Sequence, residues 1–194
     1  MLYRLGWLLS LIISRLVCRV KVEGNKNVPG KGAFILASNH ISNMDPFLVG
    51  TCITRKLNYM AKKELFFNKF WNWMFRQWGA FPVDREKPDI SAIKEAIKRL
   101  NSGKALLLFP QGGKRDNIDN SEIQDGVGFL ASKTQVPVIP VFIKGADKAM
   151  PKDSKFIKPA DIHVRFGQQI FIERGMPYHD ASLKIMESIR HLAL

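Results

Sequence analysis

His40 and Asp45 are the two residues of this sequence whose types and spacing best suit proton transfer. They lie in the segment 39–46, NHISNMDP, directly after an apolar run at 33–38 that is typical of a buried strand. Pro46 suits the first position of a helix, which predicts Asp45 at the N-cap. A turn of this length can bring the Asp45 carboxylate to one ring nitrogen of His40 and leave the other free to accept a proton. This is the orienting half of a catalytic triad.

Each of these residues also has a simpler interpretation. Taken alone, Asp45 is more often a helix cap and His40 a structural histidine. Ser42 is a possible nucleophile, but it lacks the G-x-S-x-G context and is more typical of a turn cap. Cys18 and Cys52 form no C-x-x-C pair, which favours small core residues in a reducing compartment.

The elements around this segment alternate between strands and helices. Apolar runs predict strands at 20–24, 33–38, 57–61, 105–109, 138–143 and 162–166, and periodic segments predict helices at 46–54, 68–78, 88–101, 126–134 and 181–192. Pro140 inside one run predicts an edge or irregular strand. The fold class is therefore α/β: a central mixed, mostly parallel sheet with helices on both faces.

Three further segments follow in chain order: 79–85 GAFPVDR, 109–114 FPQGGK and 136–141 VPVIPV. With N-H-x-S-x-x-D at 39–45, they resemble the four motifs of the glycerolipid acyltransferases, and within that family those of the bacterial 1-acylglycerol-3-phosphate acyltransferases. The resemblance covers roughly residues 33–145. H-x-x-x-x-D alone is a weak pattern, whereas four motifs in the family order are specific.

The resemblance implies direct acyl transfer to 1-acylglycerol-3-phosphate, which gives phosphatidic acid for phospholipid synthesis. His40, oriented by Asp45, would deprotonate the acceptor hydroxyl, which attacks the thioester of acyl-CoA or acyl carrier protein. Arg85 would bind the acceptor phosphate, and Gly112 and Gly113 would let backbone amides approach an anion. No metal and no cofactor beyond the thioester co-substrate is expected.

The third motif departs from its usual form, F-P-E-G-T-R. Gln111 replaces the glutamate, Gly113 the threonine and Lys114 the arginine, and Arg115 follows as a possible substitute for the missing guanidinium. The acceptor could therefore be a different lysolipid, or the chain a non-catalytic lipid-binding relative. The remaining residues that the resemblance assigns to substrate binding are Asn39, Ser42, Phe81, Val138, Ile139 and Pro140.

Charge and the N-terminal segment indicate a membrane surface. The chain carries 30 Lys and Arg against 17 Asp and Glu, a net charge of +13, which favours an anionic partner. Basic residues are spread over many elements without a nucleic-acid-binding signature, so no nucleic acid is expected. The apolar run at 5–13 is too short to span a bilayer. We expect residues 1–20 to form an interfacial helix, with Trp7 in lipid, and 21–194 the acyltransferase domain, peripheral or monotopic on the cytoplasmic face of the inner membrane.

A second apolar cluster lies between the first two motifs. Residues 66–78 contain three tryptophans and four phenylalanines, and Phe67, Trp71, Met74 and Trp78 share one helical face. Lysines and an arginine flank the cluster. The pattern fits an aromatic core helix and membrane contact about equally well.

Overall fold

A computed structural model describes residues 2–114, 123–151, 154 and 156–194 of the chain. Arg115, one of the predicted anion-binding residues, lies outside the described residues. The helices are α1 (Leu2–Val17), α2 (Asp45–Thr51), α3 (Lys69–Gln77), α4 (Ile90–Asn101), α5 (Gly126–Thr134), α6 (Ala146–Ala149) and α7 (Tyr178–His191). The strands are β1 (Arg19–Glu23), β2 (Phe34–Ser38), β3 (Leu57–Lys62), β4 (Ala80–Val83), β5 (Ala105–Leu108), β6 (Val138–Lys144) and β7 (Asp161–Phe166).

The seven strands form one sheet in the order β1-β7-β6-β2-β5-β3-β4. Every neighbouring pair is parallel except β6 and β7, which run antiparallel. The predicted fold class, a mixed and mostly parallel sheet between helices, is confirmed. One apolar core lies between the sheet and α2 and α6, and a second lies between the other face and α4, α5 and α7.

The central strands β2 and β5 are buried along their whole length, as their unbroken apolar runs predicted. They lie side by side in parallel, with Phe34 opposite Ala105 and Ala37 opposite Leu108. Consequently the chain that leaves β2 toward His40 and the chain that leaves β5 toward Gln111 emerge at the same edge of the sheet.

The two prolines in strands have different surroundings. Pro140 was predicted in an edge or irregular strand, but β6 lies inside the sheet between β2 and β7. Pro140 is tolerated there because the ladder with β7 begins only at Val141, while Val138 forms a separate bridge to Ile170. Pro82 lies in β4, a true edge strand that the apolar pattern did not predict because only four residues pair.

Helix α1 packs on the domain with one of its faces. The Trp7 indole donates a hydrogen bond of 2.7 Å to the Gly50 carbonyl, so this end of the ring packs on the domain, and the expected place of Trp7 in lipid stays a prediction. The opposite side exposes a stripe formed by Leu5, Leu8, Leu9, Ile12 and Leu16. Within the described part of the chain, no helix combines the length and the apolar character needed to cross a bilayer.

Candidate active site

The loop that follows β2 folds the Asp45 carboxylate back onto the His40 ring. Helix α2 begins at Asp45 itself and its N-cap is Met44, so the predicted N-cap position of Asp45 is wrong by one residue. Its side chain caps no amide of the helix. Instead Oδ2 accepts hydrogen bonds of 2.8 Å from the backbone amides of Ile41 and Ser42 and lies 2.8 Å from His40 Nδ1.

This geometry assigns the histidine tautomer. A carboxylate can only accept, so the hydrogen bond between His40 Nδ1 and Asp45 Oδ2 places the proton on Nδ1 and leaves Nε2 as the acceptor. Asp45 is fully buried, and the His40 side chain is 9% exposed. The Phe109 ring stacks on the imidazole with centroids 4.0 Å apart, which holds the ring plane. His40 is thus oriented as a general base.

Two side-chain amides hold the main chain around His40. Gln111 Oε1 accepts a 3.0 Å hydrogen bond from the His40 backbone amide. The Asn39 amide both donates to and accepts from the backbone of Ile143, with two bonds of 2.8 Å. Asn39 and Gln111 were predicted to bind substrate, and the structure gives both of them a contact that positions the base.

Ser42 is also engaged with the protein. Its hydroxyl donates a 2.9 Å hydrogen bond to the Met150 carbonyl, and its side chain is buried. The backbone amide of Met44 lies 3.4 Å from the same oxygen, as expected for a turn cap. A hydroxyl committed in this way is not poised as a nucleophile. Burial raises the pKa of the Cys52 thiol to about 11, which keeps it protonated and unreactive at neutral pH.

A cavity of about 980 Å³ opens beside His40 at the carboxyl ends of β4 and β5. Phe109 and Gln111, which contact His40, line its near side. Its apolar wall is formed by side chains from β3, β4, β5, α4 and α5, including Met60, Val83, Ile93, Leu108, Val127 and Phe129. Arg85, Gly112 and Gly113 supply the cationic and backbone groups. The cavity therefore combines an apolar wall with a charged rim, in which Arg85 and Lys87 lie among the carboxylates of Asp84, Glu86, Asp89 and Asp125.

Arg85 is a cation of this rim that is available to a ligand. Among the described residues it makes no hydrogen bond or ion pair, whereas its neighbour Asp84 binds Lys63 at 2.7 Å. Desolvation of the guanidinium lowers the pKa of Arg85 and the nearby Glu64 carboxylate raises it, so the group stays charged at neutral pH. Lys114 follows Gly113 in the chain and is half-buried, but it is not among the residues that line the cavity.

The two glycines of the third motif differ in what they offer. Gly112 has a φ of 67°, and a Cβ there would lie 2.9 Å from the side chain of Gln124, so the turn requires glycine. Its amide donates to the Phe109 carbonyl within the turn. No described residue accepts from the Gly113 amide, and space around Gly113 is open. Of the two predicted amides, that of Gly113 can approach an anion.

Four predicted binding residues lie in the sheet away from the cavity. Phe81 is buried beneath the Arg99 guanidinium, 4.4 Å from its ring centroid. Val138, Ile139 and Pro140 are buried in β6. Their assignment to substrate binding stays a prediction. Conversely, the apolar wall from α4 and α5 was not predicted, because it forms only when helices distant in sequence meet over β5.

Known proteins have sequences similar to this one. The acyltransferase family model matches residues 19–144. A 1-acyl-sn-glycerol-3-phosphate acyltransferase of Bacillus subtilis is 35% identical over 175 residues, which is 90% of this chain and 81% of that protein. The Streptococcus pneumoniae protein of the same name is 34% identical, over 66% of this chain and 50% of its own length.

The crystal structure of PlsC, a 1-acyl-sn-glycerophosphate acyltransferase from Thermotoga maritima, has the same fold. It superposes with a TM-score of 0.81 at 23% identity, over 97% of this chain and 77% of that one. Sequence, fold and the His40–Asp45 geometry agree with the resemblance drawn from the four motifs. This chain belongs to the acyltransferase family.

Proposed function

We propose that this chain is a 1-acylglycerol-3-phosphate O-acyltransferase, which moves a fatty acyl chain from acyl-CoA or acyl carrier protein to the free hydroxyl of the lysolipid. The observation that carries the proposal is the buried His40–Asp45 pair next to a cavity that has an apolar wall and the Arg85 guanidinium on its rim. The names of the relatives from Bacillus subtilis and Streptococcus pneumoniae support the same acceptor.

The chemistry needs only groups that the chain supplies. His40 Nε2 takes the proton of the acceptor hydroxyl as its oxygen attacks the thioester carbonyl, and Asp45 stabilises the imidazolium that forms. The tetrahedral intermediate then expels the thiolate, which receives the proton from Nε2. An ester bond forms, a thioester bond breaks, and His40 returns to its starting state. The engaged Ser42 hydroxyl and the protonated Cys52 thiol favour this direct route over an acyl-enzyme.

Arg85 is suited to hold the phosphate of the acceptor. A guanidinium gives two parallel hydrogen bonds to a phosphate, and this one has no partner among the described residues. Gly113 lies on the same rim, and Lys114 and Arg115 follow it in sequence. We assign the apolar wall to an acyl chain, because aliphatic and aromatic side chains dominate it.

We assign membrane attachment to residues 1–20 and catalysis to residues 21–194. The exposed Leu and Ile stripe of α1 would enter the lipid, while the net charge of +13 attracts an anionic surface. Attachment would be peripheral or monotopic, on the cytoplasmic face of the inner membrane, where acyl-CoA and acyl carrier protein are available.

Acyl transfer from a radiolabelled donor to lysophosphatidic acid in mixed micelles tests the proposal. We expect product from the wild type and from His191→Ala, a control at an exposed histidine of α7, but none from His40→Ala. Arg85→Lys should raise the KM for the acceptor about tenfold with little change in kcat, because lysine lacks the planar fork. Turnover of another lysolipid in place of lysophosphatidic acid would reassign the acceptor. Vesicle binding without turnover of any lysolipid would identify a non-catalytic relative.

A further inference from the structure

Helix α3 lies on the domain with its aromatic side chains facing outward. None of its nine residues is buried. Phe70, Trp71 and Trp73 are 60%, 47% and 50% exposed, and Phe67, just before the helix, is 75% exposed. Asn68 caps the helix by accepting from the amides of Phe70 and Trp71, so the helix is locally well formed without a core beneath it. An aromatic core helix, one of the two interpretations of the sequence, is therefore wrong.

The exposed aromatic surface of α3 is continuous with α1. Trp71 stacks on Phe75, and Phe75 meets Trp78 edge to face. Trp78 in turn contacts Phe47 edge to face and lies so close to Gly6 of α1 that a Cβ there would be 2.6 Å from its indole nitrogen. A connected row of rings thus links the outer face of α3 to the helix that carries the exposed aliphatic stripe.

The chemistry around α3 fits the boundary between lipid headgroups and acyl chains. Lys69 and Arg76 of α3 and Lys62 at the end of β3 are exposed, Arg76 lies over the Phe66 ring, and the helix itself contains no acidic residue. Tryptophan and phenylalanine favour this boundary, and lysine and arginine favour anionic headgroups. A surface buried against another protein would instead be depleted of lysine at its centre.

We propose that α3 inserts into the same leaflet as α1, so that the protein lies on an anionic bilayer through two helices. The inference rests on the proposed attachment through α1, and it does not depend on catalytic turnover. Insertion of α3 would also set the depth of the candidate active site relative to the bilayer. Lys63, which lies shortly before α3, is bound to Asp84, and Arg85 is the next residue. The phosphate-binding rim would then lie at headgroup level, where a lysolipid can present its phosphate without leaving the leaflet.

Brominated lipids test the proposal directly, because bromine on an acyl chain quenches tryptophan only when the two are in contact. We would use vesicles of phosphatidylcholine and phosphatidylglycerol with the full chain. We expect strong quenching of the wild type and loss of about half or more of it in Trp71→Phe/Trp73→Phe, which removes the exposed indoles but keeps aromatic rings. Quenching that is equal in both proteins would overturn the proposal.

Vesicle partitioning gives a second measurement with a matched control. Phe70→Ser/Trp71→Ser should weaken partitioning about tenfold or more, since two exposed rings would no longer leave water. Phe171→Ser alters a ring that is 62% exposed outside α1 and α3 and should leave partitioning unchanged. Equal partitioning of the α3 variant and the control would refute insertion. So would a lipid-free dimer that the α3 changes dissociate, because the surface would then be a protein interface.

A His40→Ala control separates this proposal from the proposed function. It should bind vesicles like the wild type although it makes no product, because His40 lies in the buried site and not on α3. Normal vesicle quenching with no turnover of any lysolipid would leave the insertion standing and overturn the enzyme assignment. Normal turnover without vesicle quenching would overturn the insertion alone.

Discussion

Replacing Asp45 by asparagine removes the charge from the site and keeps its shape. The carbonyl oxygen of the asparagine side chain can occupy the position of Oδ2, which accepts from Ile41, Ser42 and His40 Nδ1. The amide nitrogen then takes the place of Oδ1, for which no described residue is a hydrogen-bond partner. The tautomer and the loop are preserved, whereas the imidazolium that forms during transfer loses its buried counter-charge.

The size of the effect follows from where that charge lies. Asp45 is fully buried 2.8 Å from His40, so little solvent screens the interaction. We expect kcat to fall by about 10² to 10⁴, which corresponds to roughly 3–5 kcal/mol of lost transition-state stabilisation. The KM for the acceptor should change little, because Asp45 does not line the cavity.

Comparison of Asp45→Ala with Asp45→Asn separates the catalytic role of Asp45 from its structural role. Asp45→Ala leaves the buried amides of Ile41 and Ser42 without their acceptor, at roughly 1–3 kcal/mol each. A loss of about 4 kcal/mol would lower the melting temperature by roughly 8–16 °C for a chain of this size, whereas Asp45→Asn should cost much less. Thermal unfolding and kcat are measured for both variants. An Asp45→Asn enzyme within about threefold of wild-type kcat would refute the reasoning and leave Asp45 a purely structural residue.

Three further predictions concern the scaffold. Hydrogen bonds from the Ser91 hydroxyl, and then from the backbone amides of Asp84, Ala92 and Ser91, lower the pKa of Asp89 from 3.8 to about 2. The stabilising contribution of the Asp89 carboxylate is therefore complete above pH 3.8 and is lost as the pH falls through 2. Asp89→Ala should therefore lower the free energy of unfolding by about 1 kcal/mol at neutral pH. In urea unfolding, its free energy of unfolding should also fall less than that of the wild type as the pH is lowered toward 2. Gly128→Ala should lower the free energy of unfolding by about 3 kcal/mol, because a Cβ would overlap the Tyr178 carbonyl oxygen where α5 meets α7. A variant as stable as the wild type in the same urea titration would contradict this contact. Iodoacetamide at neutral pH should not modify Cys52 in the native protein, and rapid labelling seen by mass spectrometry would show that the thiol is accessible.

Local patterns in the sequence predicted the centre of this fold and the catalytic pair. Strands β2 and β5 were predicted because a strand buried on both faces is an unbroken apolar run. The His40–Asp45 contact was predicted because both residues lie in one short turn. In each case the information is contained within a few neighbouring residues.

Contacts between distant parts of the chain were not predictable in this way. The bond from His40 to Gln111 joins residues 71 apart, and the two bonds from Asn39 to Ile143 join residues 104 apart. Their partners depend on which strands become neighbours in the sheet, which no single segment specifies. The outward orientation of α3 was equally undetermined, because an apolar helical face has the same pattern whether it meets a core or a lipid.

These long-range contacts explain how the altered third motif can coexist with an intact catalytic pair. The His40 amide needs an acceptor at position 111, and a carbonyl oxygen on a side chain of glutamine length supplies it as a carboxylate would. The glutamine also adds no second negative charge to a buried site that already holds Asp45. Position 111 can thus lose its charge while the base stays in place. The change at Lys114 is different in kind, because lysine keeps the positive charge of arginine but lacks its planar fork. The altered motif therefore keeps the contacts that hold the His40–Asp45 pair in place.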